Sequence, residues 1–163
     1  MKRDRGAAAL PDCGGKRFAL VVARFYPQIA DRLVEGARRA LRDCAVRDED
    51  VALYEAPGCF EIPLLCRNLV AAEHFDALVA LGAVIQGATP HFTFVAAECA
   101  RGIMQVQLST GVPIGFGVLT TTTQQQAEER ADPGRGDKGY DAALAAALLT
   151  VTPSDLPRAG FRA

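Results

Sequence analysis

Apolar positions along the chain alternate between two spacings, and the alternation sets the architecture. Residues 17–23 (RFALVVA) form a short β-rich run. Residues 28–44 then carry apolar side chains at 29, 33, 37 and 41, the stripe of a helix. A second short strand is predicted over 50–54. Pro57-Gly58 breaks it, and 60–74 reads as a helix with Pro63 confined to its first turn. Residues 76–83 are apolar almost without alternation, which predicts a strand buried on both faces. A helix over 92–108 follows, with apolar residues at 92, 95, 96, 99, 103 and 106, then a turn at Gly111-Val112-Pro113. A fourth strand is predicted over 114–119, a short helix over 124–130, a Pro/Gly-rich loop, and an Ala-rich helix over 140–150. The order β-α-β-α-β-α-β-α-α with continuous apolar strands implies a parallel sheet covered by helices on both faces.

Ligands of such sheets bind beyond the carboxyl ends of the strands, so the residues that follow each strand carry the functional information. After the first strand come Arg24-Phe25-Tyr26-Pro27, with two aromatics in a loop. After the second come Ala56-Pro57-Gly58-Cys59-Phe60-Glu61, ending on a carboxylate at a helix start. After the third comes GAVIQGATPHFTF, residues 82–94, and after the fourth a run of four threonines, Thr120 to Thr123. The third corner is the most specific. Thr89 is a favoured N-cap residue and Pro90 suits the first helical position. Gly87 permits close approach of a ligand to the backbone. Backbone N–H groups of Gly87-Ala88-Thr89 at the positive end of a helix dipole would seat an anion or phosphate. His91 stands beside that seat, and an imidazole exchanges protons near neutral pH.

Composition narrows the class. The chain has 163 residues, half of them hydrophobic, and a formal net charge of −1, an ordinary balance for one globular domain with no basic stripe for nucleic acid. No apolar run reaches the length of a membrane span. Residues 1–16 are expected to be a loose tail, 17–151 the domain, and 152–163 a second tail. Five cysteines, an odd number without a C-x-x-C pair, point to free thiols in the cytoplasm. No metal-ligand cluster is visible, and His74 and His91 belong to no paired pattern.

Taken together, ARFYPQIADRLVEGA, APGCFEIP, ALGAVIQGATPHFTFV, GVPIGFGVLTT, QAEERA and DKGYDAA resemble the lumazine synthases in order and spacing, across about 17–150. The resemblance implies a flavodoxin-like three-layer α/β/α sandwich with a four-stranded parallel sheet and room for an N-terminal edge strand. It implies condensation of 5-amino-6-(D-ribitylamino)uracil with 3,4-dihydroxy-2-butanone 4-phosphate to 6,7-dimethyl-8-ribityllumazine, a step of riboflavin biosynthesis that needs no metal or organic cofactor. It implies a homopentamer, which some members close into a 60-subunit shell, with riboflavin synthase as a candidate partner.

By the same resemblance, Phe25 stacks on the pyrimidine ring. Cys59, Phe60 and Glu61 line the ribityl and pyrimidine site, and Ala83, Val84 and Ile85 present backbone groups to the uracil edge. Ala88, Thr89 and Arg130 hold phosphate, and His91 is the acid/base. Phe116, Arg130 and Lys138 come from a neighbouring subunit. Position 86 is Gln where the family usually has Arg or Lys, so a cation beside the phosphate seat is lost. Tyr26 and Cys59 stand where Asn and Ala are common. The other readings weighed on the sequence are a non-catalytic flavin or lumazine binder or shell-forming scaffold of the same fold, and a flavodoxin-type electron carrier. The carrier lacks its hydroxyl-rich phosphate loop after the first strand, and no G-x-G-x-x-G supports a dinucleotide enzyme.

Overall fold

The computed structural model describes residues 10–151. Four parallel strands, β1 (Phe18–Ala23), β2 (Val51–Ala56), β3 (Ala77–Ile85) and β4 (Ile114–Thr121), lie in the order β2-β1-β3-β4. Five helices connect and cover them: α1 (Pro27–Asp43), α2 (Ile62–Ala72), α3 (His91–Thr110), α4 (Gln124–Ala131) and α5 (Lys138–Thr150). Single 3-10 turns at Asp48–Asp50 and Cys59–Glu61 lead into β2 and α2. The element order is the one the periodicity predicts.

The two central strands explain their own composition. β1 is buried at every residue and β3 at all but Ile85, so neither has a polar face to alternate with. Side chains still point up and down in turn. Phe18, Leu20 and Val22 enter one core with Leu33, Leu41, Tyr140 and the alanines of α5; Ala19, Val21 and Ala23 enter the other with Ile62, Cys66, Cys99 and Ile103. Thus α1, α4 and α5 cover one face, and α2 and α3 cover the opposite one.

Three differences from the sequence expectation matter for the site. β3 and β4 run two residues further than expected, so Val84 and Ile85 stand on a strand with Ala83 and not in the loop behind it. The side-chain period gives no signal where both faces are apolar, which is why this end was misplaced. No edge strand precedes β1 in residues 10–17, while residues 1–9 lie outside the described residues. The expected tail over 1–16 is docked from Cys13 onward. Cys13 is fully buried, and its N–H donates to the Cys44 carbonyl at 2.8 Å. The expected tail over 152–163 lies outside the described residues.

Candidate active site at the carboxyl edge

The chain leaves β1 toward β2 on one side and crosses later to β3 on the other. The carboxyl ends of β1 and β3 therefore flank the switch point of the sheet, where a crevice must open. β1 stops first. Its ladder with β3 ends at Val22 paired to Leu81, whereas β3 continues to Ile85 against Thr121 of β4.

Backbone alternation shows what this exposes. The N–H groups of Leu78 and Gln86 both donate across to the β4 side, to Pro113 and Thr121 carbonyls at 2.9 Å. Odd-numbered residues of β3 must therefore aim their N–H and C=O at the β1 side. Beyond Leu81 that side carries no paired strand among the described residues. The Ala83 carbonyl and the amide and carbonyl of Ile85 form a short strand edge with no strand paired to it. A heterocycle with alternating donors and acceptors is the ligand such an edge can pair with.

Two corners flank this edge. Phe25, immediately past β1, is 73% exposed, with its ring 5.0 Å from that of Tyr26 in an edge-to-face contact. An aromatic so exposed is no core residue, and its free face suits stacking. Arg24 anchors the loop beneath it. Its Nε lies 2.8 Å from Glu55 Oε1 at the end of β2, and its Nη2 pairs with Asp31 of α1. On the other flank, the turn Cys59–Glu61 follows β2. Phe60 and Glu61 are exposed, whereas Cys59 is 6% exposed and its Sγ donates to the Ala83 carbonyl at 3.7 Å. Burial pushes this thiol up to about 11, so it stays protonated at neutral pH and keeps its donor.

The helix start after β3 differs from expectation in detail. α3 begins at His91 with Pro90 in the cap position; Thr89 lies ahead of the helix, and no side-chain cap bond is made at this end among the described residues. The Thr93 N–H turns back to the Pro90 carbonyl, which leaves the amides of His91 and Phe92 at the positive end of a 20-residue helix. The free amides at this helix end thus lie three to four residues beyond the centre of Gly87-Ala88-Thr89. Gly87 is also not required by the fold, since a Cβ there would meet nothing within 4 Å. Residues 86–91 are all exposed, His91 among them. The N-cap signal misled because Thr-Pro fits two registers one residue apart, and local propensity does not choose between them.

Other residues of the expected site stand elsewhere in the same chain. Phe116 is 47% exposed but pairs with Ala80, five residues before the end of β4. Five strand residues span roughly 17 Å, beyond the reach of a side chain to His91. Arg130 and Lys138 lie on the opposite layer. α4 buries Ala127 and Ala131 in the α1/α5 core, and Arg130 Nη1 donates to its own helix at Gln126 O, 3.2 Å away. Lys138 Nζ pairs with Asp141 at 2.8 Å.

A groove of about 450 Å³ lies beside the corner, lined by Phe92, Thr93, Ala96, Ala97, Thr120, Thr121, Thr122 and Gln126. These residues were not among the expected ones. The threonine run signalled them, but only as a helix cap, a role that Thr123 fulfils by accepting from the Gln126 N–H at 3.2 Å. Among the described residues no group of three or more His, Cys, Asp or Glu side chains is placed to hold a metal ion.

The sequence profile of the family described as 6,7-dimethyl-8-ribityllumazine synthase matches residues 15–152. The 6,7-dimethyl-8-ribityllumazine synthase of Syntrophus aciditrophicus (strain SB) is 48% identical over 132 residues, 81% of this chain and 86% of that one. The enzyme of the same name from Chlorobium phaeovibrioides is 50% identical over 130 residues, 80% and 84% of the two chains. That of Chlorobium luteolum is 46% identical over 146 residues, 90% and 92%. With a profile match across nearly the whole described fold and relatives at this identity, the chain belongs to the 6,7-dimethyl-8-ribityllumazine synthase family.

Proposed function

We propose that this protein is a transferase of riboflavin biosynthesis. It condenses 5-amino-6-(D-ribitylamino)uracil with 3,4-dihydroxy-2-butanone 4-phosphate and releases 6,7-dimethyl-8-ribityllumazine, phosphate and water. The observation that carries the reading is the strand edge at Ala83–Ile85, left open where β1 ends and flanked by Phe25 and by Cys59–Glu61. The uracil edge pairs with that backbone, Phe25 covers its ring, and Glu61 accepts from ribityl hydroxyls or ring N–H. The phosphate sits at the uncapped start of α3, held by the backbone around Ala88, Thr89 and His91. Gln86 contributes a neutral amide there.

The chemistry asks little of the protein. The arylamine is already a nucleophile. Its 5-amino nitrogen attacks the ketone carbon and water leaves to give an imine; phosphate then leaves by elimination, and the ribitylamino nitrogen closes the ring on the remaining carbonyl with loss of a second water. His91 moves the protons of these steps. Holding two substrates at the same edge supplies several kcal/mol of the barrier, and a general acid/base adds about 10²–10⁴-fold.

The chain is suited to an oligomer, for which the reading takes a pentamer. α3 buries only Cys99, Ile103 and Val106 of its 20 residues and leaves Phe94, Met104 and Leu108 exposed. Leu64 and Phe116 are exposed on the same side of the sheet. Monomeric proteins rarely leave so much contiguous apolar surface in water. A neighbouring copy that covers this face brings its own Phe116, Arg130 and Lys138 to the edge of the next subunit, which supplies the cations that one corner lacks. Closure of pentamers into a shell, which could also hold riboflavin synthase, is read from sedimentation: about 87 kDa for five 17.3 kDa chains, about 1 MDa for sixty. No helix among the described residues is long and apolar enough to cross a membrane. All five cysteines are unpaired and buried, which suits the cytoplasm.

The test is turnover of the two named substrates, followed by lumazine absorbance against the spontaneous rate. Wild type accelerates the reaction, and His91→Ala slows kcat by roughly 10²-fold without abolishing it. Gln86→Arg lowers KM for the butanone phosphate. Wild-type kcat in His91→Ala removes the imidazole from the mechanism. No acceleration by the wild-type protein overturns the reading.

A further inference from the structure

Residues 132–137 join α4 to α5 and are fixed from both sides. Toward α4, the Gly136 N–H donates to Glu129 O at 3.0 Å, and a Cβ on Gly136 would come within 2.6 Å of the Arg130 Cα. The Arg135 and Asp137 N–H groups both return to the Asp132 carbonyl, at 3.1 and 3.0 Å. Toward α1, the Asp137 carboxylate meets Arg39, whose Nη2 lies 2.8 Å from Oδ1 and 2.7 Å from Oδ2. Asp137 is 7% exposed and holds a left-handed backbone at φ +50°. The Arg39 guanidinium also lies 5.6 Å over the Tyr140 ring, and the Tyr140 hydroxyl donates to Asp43 at 2.9 Å. Arg39 and Asp43 are one turn apart on α1, so a single helix face grips the first turn of α5. There is no slack behind the pair, because a Cβ on Gly36 would stand 2.8 Å from Asp137 Oδ1.

The gripped segment is flanked by two cations, Arg130 at the end of α4 and Lys138 at the start of α5. Arg130 packs its backbone on Gly136, and Lys138 directly follows Asp137. We propose that Arg39 and Asp137 are a positioning pair that sets the placement of Arg130 and Lys138, and through them the affinity for the phosphorylated substrate in the adjoining subunit's site. This rests on the reading above, in which those two cations bind phosphate. A guanidinium facing both carboxylate oxygens is directional, unlike an apolar contact. The loop itself, with Pro133, Gly134 and Gly136, has little side chain of its own to pack. With Gln86 in place of a cation at the helix start, the placement of the remaining two carries more of the phosphate affinity.

The experiment measures KM for each substrate separately in the assembled enzyme, with Arg130→Ala as reference. Arg39→Gln and Asp137→Asn are the test variants; Asn tolerates the left-handed backbone, so the fold is kept. Arg130→Ala should raise KM for the butanone phosphate by roughly tenfold or more, as loss of a charge-assisted contact does. Each test variant should raise the same KM about three- to tenfold, the effect of a displacement of a fraction of an ångström. KM for the ribitylaminouracil, kcat and the sedimentation coefficient should hold. The double variant should be no worse than either single one, and Arg39→Lys should recover part of the loss. The proposal is overturned if Arg130→Ala raises the phosphate KM but Arg39→Gln leaves it unchanged. It is also overturned if both KM values and Tm worsen together with no recovery by Lys. If Arg130→Ala itself leaves that KM unchanged, the phosphate reading falls, and the positioning role with it.

Discussion

The two faces of the sheet are finished differently. On the α1/α4/α5 face, α5 buries six residues in 13 and all but Tyr140 are glycine or alanine, so helix and helix approach to backbone contact. A Cβ on Gly139 would lie 2.0 Å from the Leu33 carbonyl. On the α2/α3 face, α3 is longer yet buries three residues in 20, and large apolar side chains point outward. One face is sealed by close helix packing within the chain, and the other leaves large apolar side chains that the proposed oligomer would cover. The site follows the same division. The candidate substrate-reading groups lie where the open face meets the carboxyl edge, and Arg130 and Lys138 belong to the sealed layer, from which the proposed function has them serve a neighbouring copy.

The largest expected effect breaks the sealed face. Gly139→Ala forces α1 and α5 apart and should cost about 3 kcal/mol or more, enough to lose most of the folded population in urea titration at the wild-type midpoint. The same size of insult on the open face should act on assembly instead. Leu108→Glu, at a residue 76% exposed in the isolated chain, should change the stability of the single chain by no more than about 0.5 kcal/mol. It should nevertheless shift sedimentation to the 17.3 kDa species and cut turnover roughly tenfold or more as the neighbour's groups leave. An assembled, active Leu108→Glu protein would remove the open face from the interface.

Alkaline pH probes the two cores together. Burial pushes Cys66 and Cys99, under α2 and α3, up to about 12, and Cys44, at the end of α1, up to about 11, from an ordinary 9.0. Because the folded values are raised, the thiols contribute their full stability below pH 9. That contribution is lost as the pH climbs from 9 toward 11–12, where the unfolded chain ionises first. The urea midpoint should fall over that window, and Cys66→Val should make the fall shallower. An identical slope in the variant would assign the alkaline lability to other groups.

The smallest contrast concerns two helix starts. α4 is capped by Thr123, so Thr123→Ala should cost about 1 kcal/mol with little change in phosphate affinity. α3 has no side-chain cap. Thr89→Ala should therefore alter stability by less than about 0.5 kcal/mol while raising KM for the butanone phosphate. Reversal of the two outcomes would make Thr89 structural and the start of α3 an ordinary helix end.

The relation of sequence to structure follows the same physical lines. Element order and the two-faced burial of β1 and β3 were legible because apolar periodicity survives in any context. The four corners were legible because a parallel sheet puts every strand exit on one edge. Phe25, Glu61 and His91 could therefore be named as candidates before any geometry, and the structure leaves all three exposed beyond the strand ends. The end of β3 was not legible, because a strand apolar on both faces shows no period to stop. Nor was the true start of α3, since Thr89 and Pro90 satisfy two registers equally well. The groove residues Thr121, Thr122 and Gln126 were hidden behind a capping signal that was itself correct.

By itself the sequence determined the parallel α/β class, the chain order of the elements and the residue types at each strand exit. These follow from local propensity, periodicity and the rule that ligands meet the carboxyl edge. Only the tertiary structure decided that β1 ends short of β3 and leaves Ala83–Ile85 unpaired on that side, because strand register is a long-range pairing. Only it decided that Phe116, Arg130 and Lys138 stand away from the corner with which the sequence resemblance groups them. It also decided that Asp137 is gripped by Arg39, 98 positions away in the chain. Distances across a fold depend on which surfaces pack, and no local spacing in the chain encodes them.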